Sequence, residues 1–145
     1  MGMTYWDGLR SYLPATWLEA LQAAPRAEQV CIQELRLRAD QPITVSTTSG
    51  ERYLCPRGLT ELRQPGVYLC RREQLELCFM RFCEQSVYAH EWELRQGYLS
   101  VPGGIRVGVA GTAVTEDGTV RAVCSVTALC VRLPRPIAEI GRAHV

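Results

Sequence analysis

The 145-residue chain contains no lysine, and all 16 of its basic residues are arginine. Codon bias in a GC-rich genome is one explanation for this composition, but the chemical consequence holds whatever the cause. A P-loop needs a lysine that reaches the β- and γ-phosphates of a nucleotide, in the pattern GxxxxGK[ST]. The absence of lysine therefore argues against a chain that acts by itself as a P-loop nucleoside triphosphatase.

Histidine is also scarce, and the cysteines are not spaced for a metal. The two histidines are His90 and His144, and the seven cysteines include no CxxC pair. Zinc sites require Cys and His ligands clustered at short spacing. We therefore predict no metal site, and we expect the cysteines to act as small apolar residues in a reducing compartment.

The chain also lacks a strong net charge, a long apolar run and the motifs of a self-contained active site. Its formal net charge of +1 provides no basic field that would attract nucleic acid. It has no apolar run of about 18 residues, the length that indicates a membrane span. It has no GxSxG motif, and Glu91 and Glu93, two residues apart, do not share a helix face. We predict no catalytic residue in this chain.

The hydrophobic pattern predicts one α+β domain, with helices where apolar residues recur at helical spacing and strands where they alternate. The predicted order is N-terminal helices within 1–24, a strand at 30–39, a β-hairpin at 43–55, a loop at 56–66, an amphipathic helix at 71–85 and an antiparallel β-meander at 98–133. The predicted core positions of the helices are Leu9, Tyr12, Leu13, Trp17, Leu18, Leu21, Leu75, Cys78, Phe79 and Phe82.

The most distinctive stretch is residues 86–114, which read SVYAHEWELRQGYLSVPGGIRVGVAGTAV. Gly97 is placed to end a helix, and two strands follow it. The glycines at 103 and 104 could bring backbone close to a phosphate. However, this motif stands between two strands, whereas a dinucleotide fingerprint stands between a strand and a helix. We predict a tight hairpin turn here.

This stretch resembles the N-terminal domain of the stage III sporulation protein AA family, ATPases of endospore-forming bacteria that are related to type II and type IV secretion ATPases. The resemblance lies in Tyr88-Ala89, in the "ELRxGY" step at 93–98 and in "GGxRVGxxGxAV" at 103–114. The "EIRLR" element of the family is similar to residues 34–38, which Pro42 follows, and its "ISSLNIRI" element resembles VTALCVRL at 126–133.

The resemblance implies the fold of the domain that precedes the RecA-like core in secretion ATPases. It also implies that the full-length protein uses ATP and Mg²⁺, forms a ring that is by analogy a hexamer, and powers a secretion-like channel between mother cell and forespore. The implied partners are its own RecA-like domain, further copies of itself and membrane platform proteins, without nucleic acid. The implied location is the cytoplasm, peripheral at the mother-cell side of the forespore membrane.

The resemblance also supplies the candidate cofactor-binding residues. In secretion ATPases, arginines of the N-terminal domain approach the phosphates of the nucleotide. Guanidinium suits this role because it stays charged and binds phosphate oxygens in a bidentate fork. The candidates that fall inside the matched motifs are Arg95, Arg106 and Arg132.

A structural interpretation of the same arginines stays open. They could face solvent or form ion pairs with Glu34, Glu91 or Glu93. Arg36 and Arg38 alternate on one strand face and are candidates for contact with a neighbouring subunit. For the whole chain, the alternative is a stand-alone nucleic-acid-binding or interaction module, against which the near-neutral net charge counts.

The last seven residues, 139–145, read EIGRAHV. An in-frame translation of a widely used sequencing adapter gives IGRAHV. We therefore expect residues 1–138 to be the N-terminal domain and residues 139–145 to be a sequencing artefact. We expect the RecA-like ATPase domain to be missing from this sequence.

Overall fold

The computed structural model describes residues 5–85, 96–116 and 119–134. The helical segments in these ranges are a 3-10 helix at Tyr5–Leu9, α1 at Ala15–Ala23, α2 at Arg26–Gln29 and α3 at Arg72–Glu84. The strands are β1 at Ile32–Arg38, β2 at Gln41–Pro42, β3 at Thr44–Thr47, β4 at Gly50–Cys55, β5 at Gly58–Thr60, β6 at Leu69–Cys70, β7 at Tyr98–Val101, β8 at Ile105–Glu116 and β9 at Thr119–Arg132.

Seven of these strands form one antiparallel sheet in the order β5-β4-β3-β1-β9-β8-β7. The β3–β4 hairpin lies on one side of β1 and the β7–β8–β9 meander lies on the other, because β1 pairs with both β3 and β9. The short strands β2 and β6 pair with each other. The predicted α+β class, hairpin and meander are confirmed, and the hairpin and the meander share a single sheet.

Side chains along β1 alternate between the two faces of this sheet. Leu35 and Leu37 are fully buried, whereas Arg36 and Arg38 are exposed, as the two-residue period of a strand requires. The last residues of β9 follow the same alternation. The sheet therefore has one apolar face and one polar face.

The helical segments cover the apolar face. On α3, Leu75, Cys78 and Phe82 lie one or two turns apart and are buried together. The rings of Tyr12 and Phe82 stack with their centroids 4.6 Å apart, and Trp17 of α1 is buried in the same cluster. Removal of this apolar surface from water is the main favourable contribution to folding.

The predicted core is confirmed, and one local prediction is wrong. Every predicted helix core position is buried except Phe79, which packs partly buried against the cluster. Residues 56–66, predicted as a loop, contain β5, which pairs with β4. The reason is Gly58, whose φ of +123° suits glycine and whose missing Cβ would lie 3.1 Å from the backbone of Ala24. This close approach lets a three-residue strand form beside α1.

The glycines after β7 form the predicted tight turn. Val101 and Ile105 pair across it. Gly103 has φ +93° and Gly104 has φ +79°, conformations that residues with a Cβ rarely adopt. The turn joins two strands, so it lacks the helix N-terminus that binds phosphate in a strand–turn–helix motif.

An aspartate from outside α3 caps the start of that helix. The Arg72 N–H donates to Asp40 Oδ1 at 3.1 Å, and the Arg71 N–H donates to Gln74 Oε1 at 3.0 Å. The residues immediately before α3 include no Ser, Thr, Asp or Asn, which are the usual caps. Asp40 lies in the turn after β1 with φ +59°, so the tertiary fold supplies the missing cap.

We expect Asp40→Ala to lower the free energy of unfolding by about 1–2 kcal/mol, because it removes a helix cap and leaves alanine at a positive φ. Asp40→Asn keeps an oxygen acceptor and tolerates the same φ, so it should lose much less stability. Urea denaturation followed by circular dichroism measures both variants. An equal loss in the two would show that the cap does not stabilise the fold.

Candidate functional site

Among the side chains that the structure describes, four exposed arginines lie on the polar face of the sheet, and we call it the arginine face. Arg36 and Arg38 come from β1, Arg106 from β8 and Arg132 from β9. They share one face because the three strands are neighbours and each arginine alternates with an apolar residue that points to the core. The described helices pack on the opposite face, and these four side chains are exposed among the described residues.

Two of these arginines stand side by side in a charged row. Arg106 is directly opposite Arg132 in the β8–β9 ladder, and Arg132 is directly opposite Glu34 in the β1–β9 ladder. Directly opposed Cβ atoms lie about 4.5–5.5 Å apart, and like charges in this arrangement are unfavourable. The Arg106–Arg132 pair therefore creates a local excess of positive charge that an anion would relieve.

Glu34 is the counter-charge of this row, and it is only 8% exposed. Its Oε1 is 3.6 Å from Arg132 Nη2, and its Oε2 is 3.7 Å from Arg36 Nε. The Cys130 thiol donates a hydrogen bond to Oε2. A buried carboxylate is tolerated when it is paired and hydrogen-bonded, and Glu34 meets this requirement with two guanidinium groups and a thiol.

Cys130 remains a protonated thiol in this setting. Burial raises the pKa of Cys130 to about 11; the hydrogen bond to Glu34 and the charge of Glu34 act in the same direction, and Arg36 and Arg132 oppose them. At neutral pH the proton stays on sulfur, and the thiol donates it in the hydrogen bond to the carboxylate. The thiolate is the reactive form of cysteine, so the protonated Cys130 is unreactive. It serves here as a hydrogen-bond donor.

Arg106 is held in a different way from Arg132. Its guanidinium carbon lies 4.4 Å from the centroid of the Tyr98 ring, in a cation–π arrangement. Within the described part of the chain, no carboxylate forms an ion pair with Arg106. The stacking therefore restrains this side chain, and no carboxylate of the described residues neutralises its charge.

The two β1 arginines make contacts inside the chain. Arg36 Nη1 donates to Glu51 Oε2 at 3.2 Å, and Arg38 Nη2 donates to Thr44 Oγ1 at 3.3 Å. Their contact with a neighbouring subunit stays a prediction.

The fold brings two of the three predicted cofactor-binding arginines together. Arg106 and Arg132 are neighbours in the row, and the alternative interpretation of Arg132 as an ion-pair partner of Glu34 is confirmed. The remaining residues of that prediction, which lie outside the described ranges, are Arg95, Glu91 and Glu93.

Two further members of the site, Tyr98 and Cys130, are not among the residues that the sequence predicted. The sequence could have predicted the contact of Tyr98 with Arg106. The glycine turn sets Ser100 opposite Arg106, so Tyr98 is a diagonal neighbour of Arg106 within reach of its long side chain. Cys130 had no local signal. Its place beside Glu34 depends on the pairing of two strands from opposite ends of the chain.

Other kinds of site have less support among residues 5–85, 96–116 and 119–134. No three His, Cys, Asp or Glu side chains there are grouped to hold a metal ion, and no helix there is both long and apolar enough to cross a bilayer. A surface cleft of about 460 Å³ lies beside Thr47 and Ser49, but its arginine, Arg52, already faces Glu61 at 3.9 Å.

The fold and the arginine face define an α+β domain built on an antiparallel sheet with one helix-covered face and one charged face. The family model for sporulation stage III, protein AA, matches residues 13–144, and the chain belongs to this family. Stage III sporulation protein AA of Bacillus subtilis (strain 168) is 29% identical to this chain over 123 residues, which are 85% of this chain and 36% of that protein. The chain therefore spans little more than a third of the length of this relative.

We expect Glu34→Gln to speed the alkylation of Cys130 at about pH 8.5. It removes the negative charge that helps to hold the pKa of the thiol high and leaves a weaker, neutral acceptor, and thiolate is the reacting form. Iodoacetamide labelling and mass spectrometry of the Cys130 peptide give the rate, with Cys55 as the internal reference.

Glu51→Gln is the matched control for this labelling, since it removes the same charge from the same face but contacts Arg36 and not Cys130. An equal Cys130 rate in wild type and Glu34→Gln would contradict the thiol–carboxylate contact.

Proposed function

We propose that this chain is the N-terminal domain of a sporulation ATPase. We further propose that Arg106 and Arg132 of the arginine face contact the phosphates of a nucleotide that a RecA-like domain holds. Membership of the stage III sporulation protein AA family supports the first part. The ATPase activity rests on the resemblance to secretion ATPases, and the share of the Bacillus subtilis relative that the chain spans, 36%, is compatible with a further domain.

The observation that carries the proposal is the side-by-side placement of Arg106 and Arg132 on an exposed face. The Glu34 carboxylate, in the same row, forms ion pairs with both Arg132 and Arg36. Counted over the described residues, the row has more guanidinium groups than carboxylates. This arrangement suits phosphate, because each guanidinium offers a fork of N–H donors to phosphate oxygens.

In this proposal the chain supplies positive charge and the RecA-like domain supplies the reacting groups. Phosphoryl transfer depends on stabilising the negative charge of the transferred group, and an arginine from another domain can provide part of that stabilisation. The P-loop lysine would come from the RecA-like domain, since this chain has no lysine. Closure of the two domains around nucleotide would then move the N-terminal domain with each catalytic cycle.

The rest of the proposal concerns the assembly. The protein would form a ring, a hexamer by analogy, on the cytoplasmic side of the forespore membrane in the mother cell. ATP with Mg²⁺ would drive it, and its motion would pass to a membrane platform protein of a secretion-like channel. An exposed, charged sheet face next to a helix-covered core suits a domain that closes on a nucleotide held by another domain.

We expect the gene, sequenced across the codon for residue 138, to show an open frame that continues into a GxxxxGK[ST] motif. This lysine-bearing motif is needed because a P-loop binds the β- and γ-phosphates through its lysine. A stop codon near residue 145 would contradict the ATPase part of the proposal.

In that longer protein, we expect Arg106→Ala and Arg132→Ala each to lower kcat by at least about tenfold, because a guanidinium that stabilises the transferred phosphate acts mainly in the transition state. The measurement is steady-state phosphate release over a range of ATP concentrations. Arg72→Ala, at an exposed position of α3 on the helix side of the sheet, is the control and should leave kcat within about twofold. Wild-type kcat and KM in both arginine variants would refute the nucleotide contact.

A further inference from the structure

We propose that Glu34 is a built-in counter-anion that competes with phosphate for Arg132, and thereby limits how tightly the arginine face binds a polyphosphate. This inference rests on the proposed function of the face and adds a residue that restrains it. Glu34 would be a positioning residue, since it acts on the ligand through the arginines that it holds.

The geometry leaves both guanidinium groups exchangeable. Their nitrogens are 3.6 and 3.7 Å from the Glu34 carboxylate oxygens, whereas a charge-assisted hydrogen bond spans about 2.7–2.9 Å. The Arg132 side chain is 70% exposed and the Arg36 side chain is 44% exposed. Both can therefore turn to an anion in solvent without opening the core.

The carboxylate cannot follow them. Glu34 is buried in the middle of the sheet, and its Oε2 accepts the Cys130 thiol. When Arg132 turns to a phosphate, Glu34 stays buried with less counter-charge, and loss of pairing at a buried charge is unfavourable. Each phosphate contact of Arg132 is thus offset in part by a lost contact with Glu34.

This competition favours ligands with several charges. A monovalent anion would gain one contact at Arg132 while it weakens one contact of Glu34. A polyphosphate can reach Arg106 and Arg132 together, and Arg106 pairs with no carboxylate among the described residues. Within residues 5–85, 96–116 and 119–134, Arg132 is therefore the contact for which a carboxylate competes, and Arg106 is the contact for which none does.

The test uses the 145-residue chain and inorganic tripolyphosphate as the probe, with binding measured by isothermal titration calorimetry at low ionic strength. Glu34→Gln should tighten binding about three- to fivefold, the effect of releasing one ion pair whose guanidinium group is exposed. Glu51→Gln makes the same change in net charge on the same face, at a side chain that is 49% exposed, and should change the Kd less than about twofold.

A double-mutant cycle assigns the effect to a particular arginine. In an Arg132→Ala background, Glu34→Gln should lose most of its gain; in an Arg106→Ala background, it should keep it. The proposal is overturned if Glu51→Gln gives the same gain or if the gain survives Arg132→Ala. It is also overturned if Glu34→Gln binds no tighter than wild type, or if neither chain binds the probe.

A second variant covers the case in which Glu34→Gln does not fold, as judged by circular dichroism and its melting curve. Glu34→Asp keeps the charge but withdraws the carboxylate by one methylene from guanidinium groups that are already beyond hydrogen-bond distance. It should tighten binding by a smaller factor than Glu34→Gln. Unchanged binding in a folded Glu34→Asp chain would overturn the proposal as well.

The outcomes separate this inference from the proposed function. If Arg106→Ala and Arg132→Ala lower kcat in the longer protein but Glu34→Gln does not tighten binding, the inference fails and the function stands. If Glu34→Gln tightens tripolyphosphate binding but the arginine variants keep wild-type kcat, the competition is real and the role in ATP hydrolysis fails.

Discussion

The antiparallel pairing of β1 with β9 is the contact on which the rest of the structure depends. It joins the hairpin half and the meander half into one sheet and brings together residues 96 positions apart, such as Glu34 and Cys130. A slip of one residue in this register would send every core side chain of a strand to the polar face. The need to bury Leu35 and Val131 therefore sets the register, and the meeting of Glu34 with Arg132 follows from it.

That register places a buried carboxylate under an exposed layer of arginine. For the isolated domain this arrangement has a small stabilising value, because exposed ion pairs contribute about 0–1 kcal/mol each and the burial of Glu34 is unfavourable. In the described part of the chain, four arginines on the face outnumber Glu34 and Glu51. A charge imbalance of this kind, at the centre of a sheet whose other face is well packed, is typical of a site that is completed by a ligand or a second domain.

Local patterns predicted the elements wherever a segment's own periodicity sufficed. Strand β1 and helix α3 are clear in the sequence because their apolar spacing is regular over several residues. Strand β5 is not, since it needs Gly58 to approach Ala24 from another part of the chain. The cap of α3 could not be predicted for a similar reason. Asp40 accepts a hydrogen bond from the N–H of Arg72, which is 32 residues further along the chain.

The candidate site was likewise predictable from the sequence only in part. The sequence by itself determined an α+β chain with arginines on alternating strand positions, and resemblance to a family marked Arg106 and Arg132 among them. Only the tertiary structure decided that these two are neighbours, that Glu34 is the carboxylate that faces them, and that Cys130 holds Glu34 in place. The physical reason is that strand alternation is a local property, whereas the order and register of strands depend on which distant segments bury their apolar faces together.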